Sequence, residues 1–210
     1  MKSFRALLSQ QLGFPSGWFG QLLLQLLNRS NAPMNDLVLQ TLQVQAGDRI
    51  LEIGFGGGDL IHKLVQTGQP SLIVGIERSP DALKVAQRRF QSFIRQGNVE
   101  LHWADAAALP FPEHSFTQVC TVNTLYFWSD APQVLSECRR VLRPGGNLVL
   151  CYASKTYLEQ QQFSQHGFAT YEVSQVEMMF KSAGFRDIST ASGKSDRHQA
   201  FFCTSGIVDS

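Results

Sequence analysis

Three glycines at alternate positions follow an acidic residue in the segment Glu52-Ile53-Gly54-Phe55-Gly56-Gly57-Gly58. Glycine lets the backbone approach a ligand without a clash from a Cβ atom. The apolar run before this segment predicts a strand, and the residues after it predict an amphipathic helix. Backbone N–H groups at such a strand–turn–helix junction point toward a bound anion. The segment therefore predicts a loop that holds a small charged cofactor, and a turn without a ligand is the alternative.

The spacing of the glycines bears on which cofactor fits. The dinucleotide fingerprint G-x-G-x-x-G would require a glycine at position 59, where the chain has Asp59. The acid two residues before the first glycine suits a cationic group, such as the α-amino group of an amino acid. An NAD-dependent oxidoreductase remains an alternative, against which Asp59 argues.

Two more acids stand near the ends of predicted strands. The apolar residues 72–76 predict a buried parallel strand that ends at Glu77. An acid about 20 residues beyond the loop is placed to bind ribose hydroxyls, or it is an exposed strand-end carboxylate. A third predicted strand, which begins at Val99, ends at Asp105, whose carboxylate could accept from an exocyclic adenine amine.

These residues together resemble a class I S-adenosylmethionine (SAM)-dependent methyltransferase, above all the small-molecule, type 11-like group that includes the ubiquinone/menaquinone C-methyltransferases. The resemblance covers residues 46–202 and includes Asp105-Ala106, Leu109-Pro110-Phe111-Pro112 and Val141-Leu142-Arg143-Pro144-Gly145-Gly146. It implies that SAM is the cofactor, that S-adenosylhomocysteine is the product, and that a small, aromatic or lipophilic acceptor is methylated by in-line displacement. A non-catalytic SAM-binding or partner-binding module is a further alternative.

The resemblance also implies roles for individual residues. The backbone of the loop would hold the methionine moiety, Glu52 would lie near its amino group, and Glu77 would bind the ribose. Arg78 would cover the adenine with its flat guanidinium, where the family more often has an apolar residue, or it would face solvent. Asn123 would lie where cofactor and acceptor meet. The cofactor-binding residues expected in this way are Glu52, Gly54, Phe55, Gly56, Gly58, Glu77, Arg78, Asp105, Ala106 and Asn123.

The acceptor site is expected beyond the carboxyl ends of the strands. This position brings Tyr126, Trp128 and Tyr152 near the pocket, while Phe127 is expected to pack beneath the following helix. Methyl transfer depends mainly on alignment of the reacting atoms, and a base is needed only if the acceptor must lose a proton. Tyr126, Tyr152 and His166 are the candidate catalytic residues, and Tyr157 is a further candidate for a base. A lone histidine is more often structural.

The alternation of strands and helices predicts an α/β, Rossmann-like three-layer sandwich. We expect a single domain over residues 1–210, with an N-terminal helical lid at 1–45 and the Rossmann-like core at 46–204. The family resemblance implies a seven-stranded, mostly parallel sheet of order 3-2-1-4-5-7-6 with the last strand antiparallel. Helices are predicted at 80–95, 131–142 and 172–183, strands at 119–123 and 148–152, and a closing hairpin at 185–192 and 199–204.

Composition restricts the partners. The net charge is +1 and no cluster of basic residues is present, which disfavours a nucleic-acid substrate. Four scattered cysteines lack metal-site spacing, which predicts reduced thiols, no metal and a cytoplasmic location. The sequence has no run of 18 apolar residues, so no transmembrane segment is predicted. Residues 1–30 are basic and apolar, so they could cover the cofactor or contact a membrane surface.

Overall fold

The computed structural model describes residues 30–194 and 200–209. The predicted lid and membrane contact fall almost wholly on residues 1–29, which lie outside the described residues.

The centre of the fold is one seven-stranded sheet with the order β3-β2-β1-β4-β5-β7-β6, which confirms the predicted order. Strands β1 to β5 are mutually parallel, and β7 runs antiparallel to both β5 and β6. The carboxyl ends of β1, β2, β3, β4 and β5 therefore meet at one edge of the sheet. The strands are Arg49–Ile53 (β1), Leu72–Glu77 (β2), Val99–Trp103 (β3), Phe116–Val122 (β4), Leu142–Ala153 (β5), Phe185–Lys194 (β6) and Ala200–Val208 (β7).

The connections between strands contain helices that pack on the sheet. Side chains begin several of them at the predicted places: Ser79 accepts from the backbone N–H of Ala82, and Asp130 accepts from that of Gln133. The α-helices are Ala32–Leu42 (α1), Asp59–Thr67 (α2), Pro80–Arg89 (α3), Gln91–Arg95 (α4), Ala131–Val141 (α5), Lys155–Gln160 (α6) and Val173–Ser182 (α7), and Leu125–Phe127 and Phe163–His166 are short 3-10 turns.

The sheet is buried on both faces. Leu51 of β1 packs with α5 and α7 in one hydrophobic cluster, whereas its neighbour Ile50 packs with α1 and α2 in the other. Successive side chains of a strand point to opposite faces, so each buried strand is apolar throughout instead of alternating with polar residues. Because Glu52 follows by the same alternation, it lies on the α2 side, at the end of β1.

Several predicted boundaries are wrong. The helix predicted at 80–95 is interrupted at Phe90, whose φ of −103° ends α3 before α4 begins. Strand β3 ends at Trp103, so Asp105 lies in the following loop. Residues 155–170, for which we predicted no element, contain helix α6, which Ser154 caps by accepting from the N–H of Tyr157.

All four cysteines are buried thiols. Burial raises the pKa of the Cys120 and Cys138 thiols above the usual value. None of the helices formed by residues 30–194 and 200–209 is long and apolar enough to cross a membrane.

Candidate functional site

A cleft of about 1660 Å³ opens at the carboxyl ends of β1, β2, β4 and β5. Its lining runs from the glycine loop, past Glu77 and Asp105, to the residues after β4 and β5. Pockets for one small molecule typically measure about 300–1,000 Å³. The cleft therefore has room for a cofactor and an acceptor side by side.

The glycine loop between β1 and α2 is closed by its own hydrogen bonds. The N–H of Gly54 donates to the carbonyl of Ile76 at 2.8 Å, and the N–H of Gly58 donates to that of Phe55 at 2.7 Å. The N–H of Gly56 donates to the Glu77 carboxylate at 3.0 Å. The N–H groups of all three predicted glycines are thus used to fix the loop, and the loop presents its remaining backbone groups to the cleft.

Two of these glycines are required by packing. Gly54 has a φ of +70°, and a Cβ there would lie 2.5 Å from Cγ2 of Thr124. Gly58 has a φ of +76°, and a Cβ there would lie 2.6 Å from Cε2 of Phe90. Gly54, Phe55, Gly56 and Gly57 line the cleft, but Gly58 does not. Gly58 therefore serves the contact between α2 and α3, and Gly57, which the sequence did not single out, takes its place at the cleft.

Glu52 is a buried carboxyl at the wall of the cleft, with 3% of its surface exposed. Its Oε2 atom has no hydrogen-bond partner among the residues that the structure describes. Burial, reinforced by the negative charges of Asp59 and Glu77, raises the pKa of Glu52 to about 8, while the Ile61 N–H and Arg89 oppose the shift. A buried carboxylate with an unsatisfied oxygen suits a ligand that carries a positive charge.

Asp59, the first residue of α2, also lines the cleft. Its carboxylate accepts from Nδ2 of Asn35 at 3.3 Å and lies 3.5 Å from Nη2 of Arg89. In the sequence, Asp59 argues only against a dinucleotide site. The structure shows a second acid beside Glu52, which strengthens the negative potential of this end of the cleft.

Glu77 occupies the end of β2 and lines the cleft. Its Oε2 accepts from the N–H of Gly56, and its Oε1 accepts from the N–H of Ser79 at 2.9 Å. Each carboxylate oxygen has a second lone pair, which remains available to a hydroxyl donor. The two backbone hydrogen bonds therefore orient the Glu77 carboxylate and leave each of its oxygens able to accept another hydrogen bond.

Asp105, Ala106 and Arg78 line the adjoining part of the cleft. Oδ1 of Asp105 accepts from the N–H of Ala107 at 2.9 Å, which holds this exposed carboxylate in a turn. The carbonyl of Arg78 accepts from Nε1 of Trp103 at 2.9 Å, while its exposed side chain borders the cleft.

Asn123 lines the cleft with a backbone φ of +58°, but its side chain is engaged. Nδ2 donates to Oδ1 of Asn31 at 3.0 Å and lies 3.2 Å from Sδ of Met34, and Oδ1 accepts from the Tyr126 hydroxyl at 2.9 Å. The same hydroxyl accepts from the N–H of Ala153. Tyr126 and Asn123 therefore tie the ends of β4 and β5 to the start of α1.

Two of the three candidate catalytic side chains, Tyr126 and Tyr152, are buried tyrosines. Burial raises the pKa of Tyr126 well above its usual value, so its hydroxyl stays protonated. Tyr152 is 1% exposed, does not line the cleft, and shares a hydrogen bond of 3.1 Å with Thr204; burial raises its pKa to about 12. It faces the core because alternation along β5 turns it away from the ligand side. The side chain of His166 lies outside the described part of the chain.

Aromatic side chains line the end of the cleft beyond β4 and β5. Phe168 contacts three other rings: its centroid lies 5.6 Å from Tyr126, 5.0 Å from Phe163 and 4.7 Å from Phe127. Phe127 lines the cleft as well as packing on Phe168, and Trp128, Tyr157, Tyr171 and Phe202 also line it. Phe163 and Phe168 were not predicted from the sequence because their segment has no periodic pattern.

Comparison with known proteins finds similarity to methyltransferases. Residues 51–150 match the family model described as "Methyltransferase domain". The chain is 32% identical over 124 residues to 27-O-demethylrifamycin SV methyltransferase of Amycolatopsis mediterranei, covering 59% of this chain and 45% of that protein. It is 31% identical over 137 residues to demethylmenaquinone methyltransferase of Symbiobacterium thermophilum, covering 65% of this chain and 53% of that protein. The chain thus spans about half the length of these relatives.

The fold is also that of solved methyltransferases. Haemonchus contortus phosphoethanolamine N-methyltransferase 2, solved in complex with SAM, superposes with a TM-score of 0.71 at 17% identity, over 98% of this chain and 57% of that one. At this identity the likeness concerns the fold. Residues 51–150 thus match the methyltransferase family model, and the chain resembles class I SAM-dependent methyltransferases in sequence and in fold. Within that class the chain resembles the ubiquinone/menaquinone C-methyltransferases, as the sequence motifs predicted.

Proposed function

We propose that this protein transfers a methyl group from SAM to a flat, lipophilic small molecule. The observation that carries the proposal is the division of one cleft into an acidic end, with Glu52, Asp59 and Glu77, and an aromatic end around Phe168. The acidic end suits a cationic, hydroxyl-rich cofactor, and the aromatic end suits a flat acceptor.

The residues at the acidic end fit SAM. Oε2 of Glu52 is buried without a partner among the described residues, and an α-ammonium group would satisfy it. Asp59 adds a second carboxylate on the same side. The free lone pairs of Glu77 match the two ribose hydroxyls, and Oδ2 of Asp105 matches an adenine amine. When bound, SAM supplies a methyl group that its sulfonium has already activated.

The chain's own contribution to the reaction is then placement. Tyr126 and Asn123 fix the boundary between the two ends of the cleft, so the acceptor atom and the methyl carbon can be held in line. The aromatic rings exclude water from the acceptor end. Tyr126 stays protonated, so it does not serve as the base, and an acceptor that must lose a proton would use another group or its own acidity.

The two curated relatives carry the names of different acceptors, a rifamycin and a menaquinone precursor. Both names denote small organic molecules. Together with the aromatic rings around Phe168, they support a phenol- or quinol-like acceptor in place of a nucleic acid. The net charge of +1 supports this choice, since phosphate backbones are bound by clustered basic residues.

The test is transfer of labelled methyl from SAM to a panel of phenols, naphthols and quinols, with aliphatic amines and RNA as comparison acceptors. We expect labelling of the flat aromatic acceptors alone, and loss of that labelling with retained SAM binding in Phe168→Ala. Labelling of amines or RNA alone would contradict the acceptor class. SAM binding without transfer to any member of a broad panel would favour the non-catalytic alternative.

We also propose that the protein works in the cytoplasm. All four cysteines are buried thiols, and such thiols persist in a reducing compartment. Localisation of the tagged full-length chain by cell fractionation tests this proposal.

A further inference from the structure

Arg89, the last residue of α3, reaches back to the glycine loop from outside the cleft. Its Nη1 donates to the carbonyl of Gly57 at 2.7 Å, and its Nη2 lies 3.5 Å from Oδ1 of Asp59. Its guanidinium carbon lies 5.3 Å from the ring centroid of Phe90. Arg89 does not line the cleft, and its side chain is about one third exposed (32%).

The peptide that Arg89 contacts is fixed at both ends. The carbonyl of Gly57 is held by Arg89, while the N–H of the same peptide, on Gly58, donates to the carbonyl of Phe55 at 2.7 Å. A glycine-rich loop has many backbone conformations of similar energy, so its shape depends on such bonds. The guanidinium fork is suited to hold a carbonyl and a carboxylate at once.

Arg89 also influences the charges in the cleft. Four charged groups act on the Glu52 region: Glu52 itself, Asp59 and Glu77 on the negative side, and Arg89 on the positive side. Asp59 is held between Arg89 and Asn35 of α1. Arg89 therefore both orients the second acid and favours the ionised form of the first.

We propose that Arg89 is a positioning residue for the cofactor: it holds the Gly57 carbonyl and the Asp59 carboxylate in the arrangement that binds the amino-acid end of SAM. This inference rests on the proposed function. Arg89 does not line the cleft, so it acts on binding of the cofactor through the loop and leaves the chemical step unchanged. Its removal raises the Kd for SAM and for S-adenosylhomocysteine alike, since both ligands carry the same amino-acid group.

The experiment is calorimetric titration of SAM and S-adenosylhomocysteine into wild type, Arg89→Met, Arg89→Lys and the matched control Arg88→Met. Arg88 precedes Arg89 on the same turn of α3 and is exposed. We expect Arg89→Met to raise both Kd values tenfold or more, Arg89→Lys to restore part of the loss, and Arg88→Met to bind as wild type. Unfolding temperatures without ligand show whether each variant is folded.

A second readout separates positioning from a general loss of structure. The positive charge of Arg89 opposes the raised pKa of Glu52. On acidification, SAM binding should therefore begin to weaken at a higher pH in Arg89→Met than in wild type. Arg88→Met leaves that pH unchanged. If Arg89→Met does not fold, the same two readouts in Arg89→Lys decide the question.

The outcomes distinguish this inference from the proposed function. Wild type that binds neither ligand contradicts the proposed function. If wild type binds SAM and Arg89→Met binds it as tightly as Arg88→Met does, or more tightly, the proposed role of Arg89 is overturned. The proposed function is unaffected by that result. An unchanged pH dependence in Arg89→Met with weakened binding would assign Arg89 a structural role only.

Discussion

The carboxylate of Glu77 accepts a hydrogen bond from the backbone N–H of Gly56 at 3.0 Å, so the end of β2 holds the loop that follows β1. This bond joins two of the residues predicted to bind the cofactor. Glu77 and the glycine loop therefore support each other, and a change in either is expected to alter the other.

Glu52 is expected to contribute to SAM binding through its buried carboxylate. In Glu52→Gln the cation loses its buried carboxylate, so the Kd for SAM should rise at least tenfold, which corresponds to about 1.4 kcal/mol. The control is Glu100→Gln, which changes an exposed acid on β3 paired with His102. Calorimetry measures both variants, and unchanged SAM affinity in Glu52→Gln would show that this carboxylate does not contact the cofactor.

The same residue predicts a pH dependence of ligand-free stability. The pKa of Glu52 is raised to about 8 in the folded protein, so its contribution to stability is fully present below the unfolded pKa, near 4.5, and is lost as pH rises through 8. Wild type should therefore lose stability relative to Glu52→Gln between about pH 4.5 and pH 8, and the difference should stay constant above pH 8. Urea denaturation at several pH values measures the difference, and parallel curves would contradict the raised pKa.

SAM affinity should pass through a maximum near pH 8. Below that value Glu52 must release a proton before it can bind a cation, so affinity rises with pH. Above it an α-amino group loses its own proton, with a pKa of about 7.7–8.0, and affinity falls. Titrations from pH 6 to pH 9.5 test this profile. In Glu52→Gln the rise in affinity below pH 8 should disappear, while the fall above pH 8 should remain. A rise that persists in this variant would contradict its assignment to Glu52.

Tyr126 is expected to act through structure. Its hydroxyl bonds Asn123 and the N–H of Ala153, so Tyr126→Phe leaves the buried N–H of Ala153 and the half-buried Oδ1 of Asn123 without this partner, and it should cost about 1–3 kcal/mol of unfolding free energy. Urea denaturation measures that loss, with Tyr152→Phe as the control for removing a buried hydroxyl outside the cleft. The pH profile of methyl transfer should keep its shape in Tyr126→Phe. A variant of wild-type stability without turnover would instead make Tyr126 catalytic.

Asp48 should stabilise the opposite end of the sheet without affecting binding. Although burial would raise its pKa, hydrogen bonds from the Gln45 N–H, the Thr117 hydroxyl and the Gln118 amide hold the pKa below its usual value. Its contribution is therefore present above about pH 3.8 and is lost as pH falls further. Asp48→Asn presents an N–H group to these donors. It should lower the free energy of unfolding by about 2–3 kcal/mol, measured by urea denaturation at pH 7.

The control for Asp48 is Asp36→Asn, which removes an exposed ion pair with Lys63 and should change stability by less than about 1 kcal/mol. SAM affinity should be unaffected in both variants. Weakened SAM binding in Asp48→Asn at unchanged stability would contradict the separation of the two ends of the sheet.

Local sequence patterns predict the features of this site that a single segment determines. Glu77 ends a continuous apolar run, and Ser79-Pro80 begins a helix, so both positions follow from neighbours in the chain. Gly58 shows the limit of such reasoning. Its spacing suggests a ligand contact, whereas its place opposite Phe90, 32 residues later, makes it a packing residue.

The missed residues are those whose roles depend on contacts between distant segments. Arg89 of α3 binds the carbonyl of Gly57, 32 residues earlier in the chain, and Phe168 contacts rings from two stretches, one with Tyr126 and Phe127 and one with Phe163. No periodicity marks either residue, because each serves a contact that exists only once the sheet has formed. Tyr152 failed as a pocket residue for a related reason: the alternation along β5 points it into the core.

Calorimetric titration of wild type with SAM and, separately, with NAD tests the central claim most directly. We predict binding of SAM in the micromolar range, with a Kd raised at least tenfold in Glu52→Gln, and no binding of NAD. Binding of NAD with SAM inert would contradict the account, because the unpartnered carboxylate at the end of β1 would then have been assigned to the wrong cofactor.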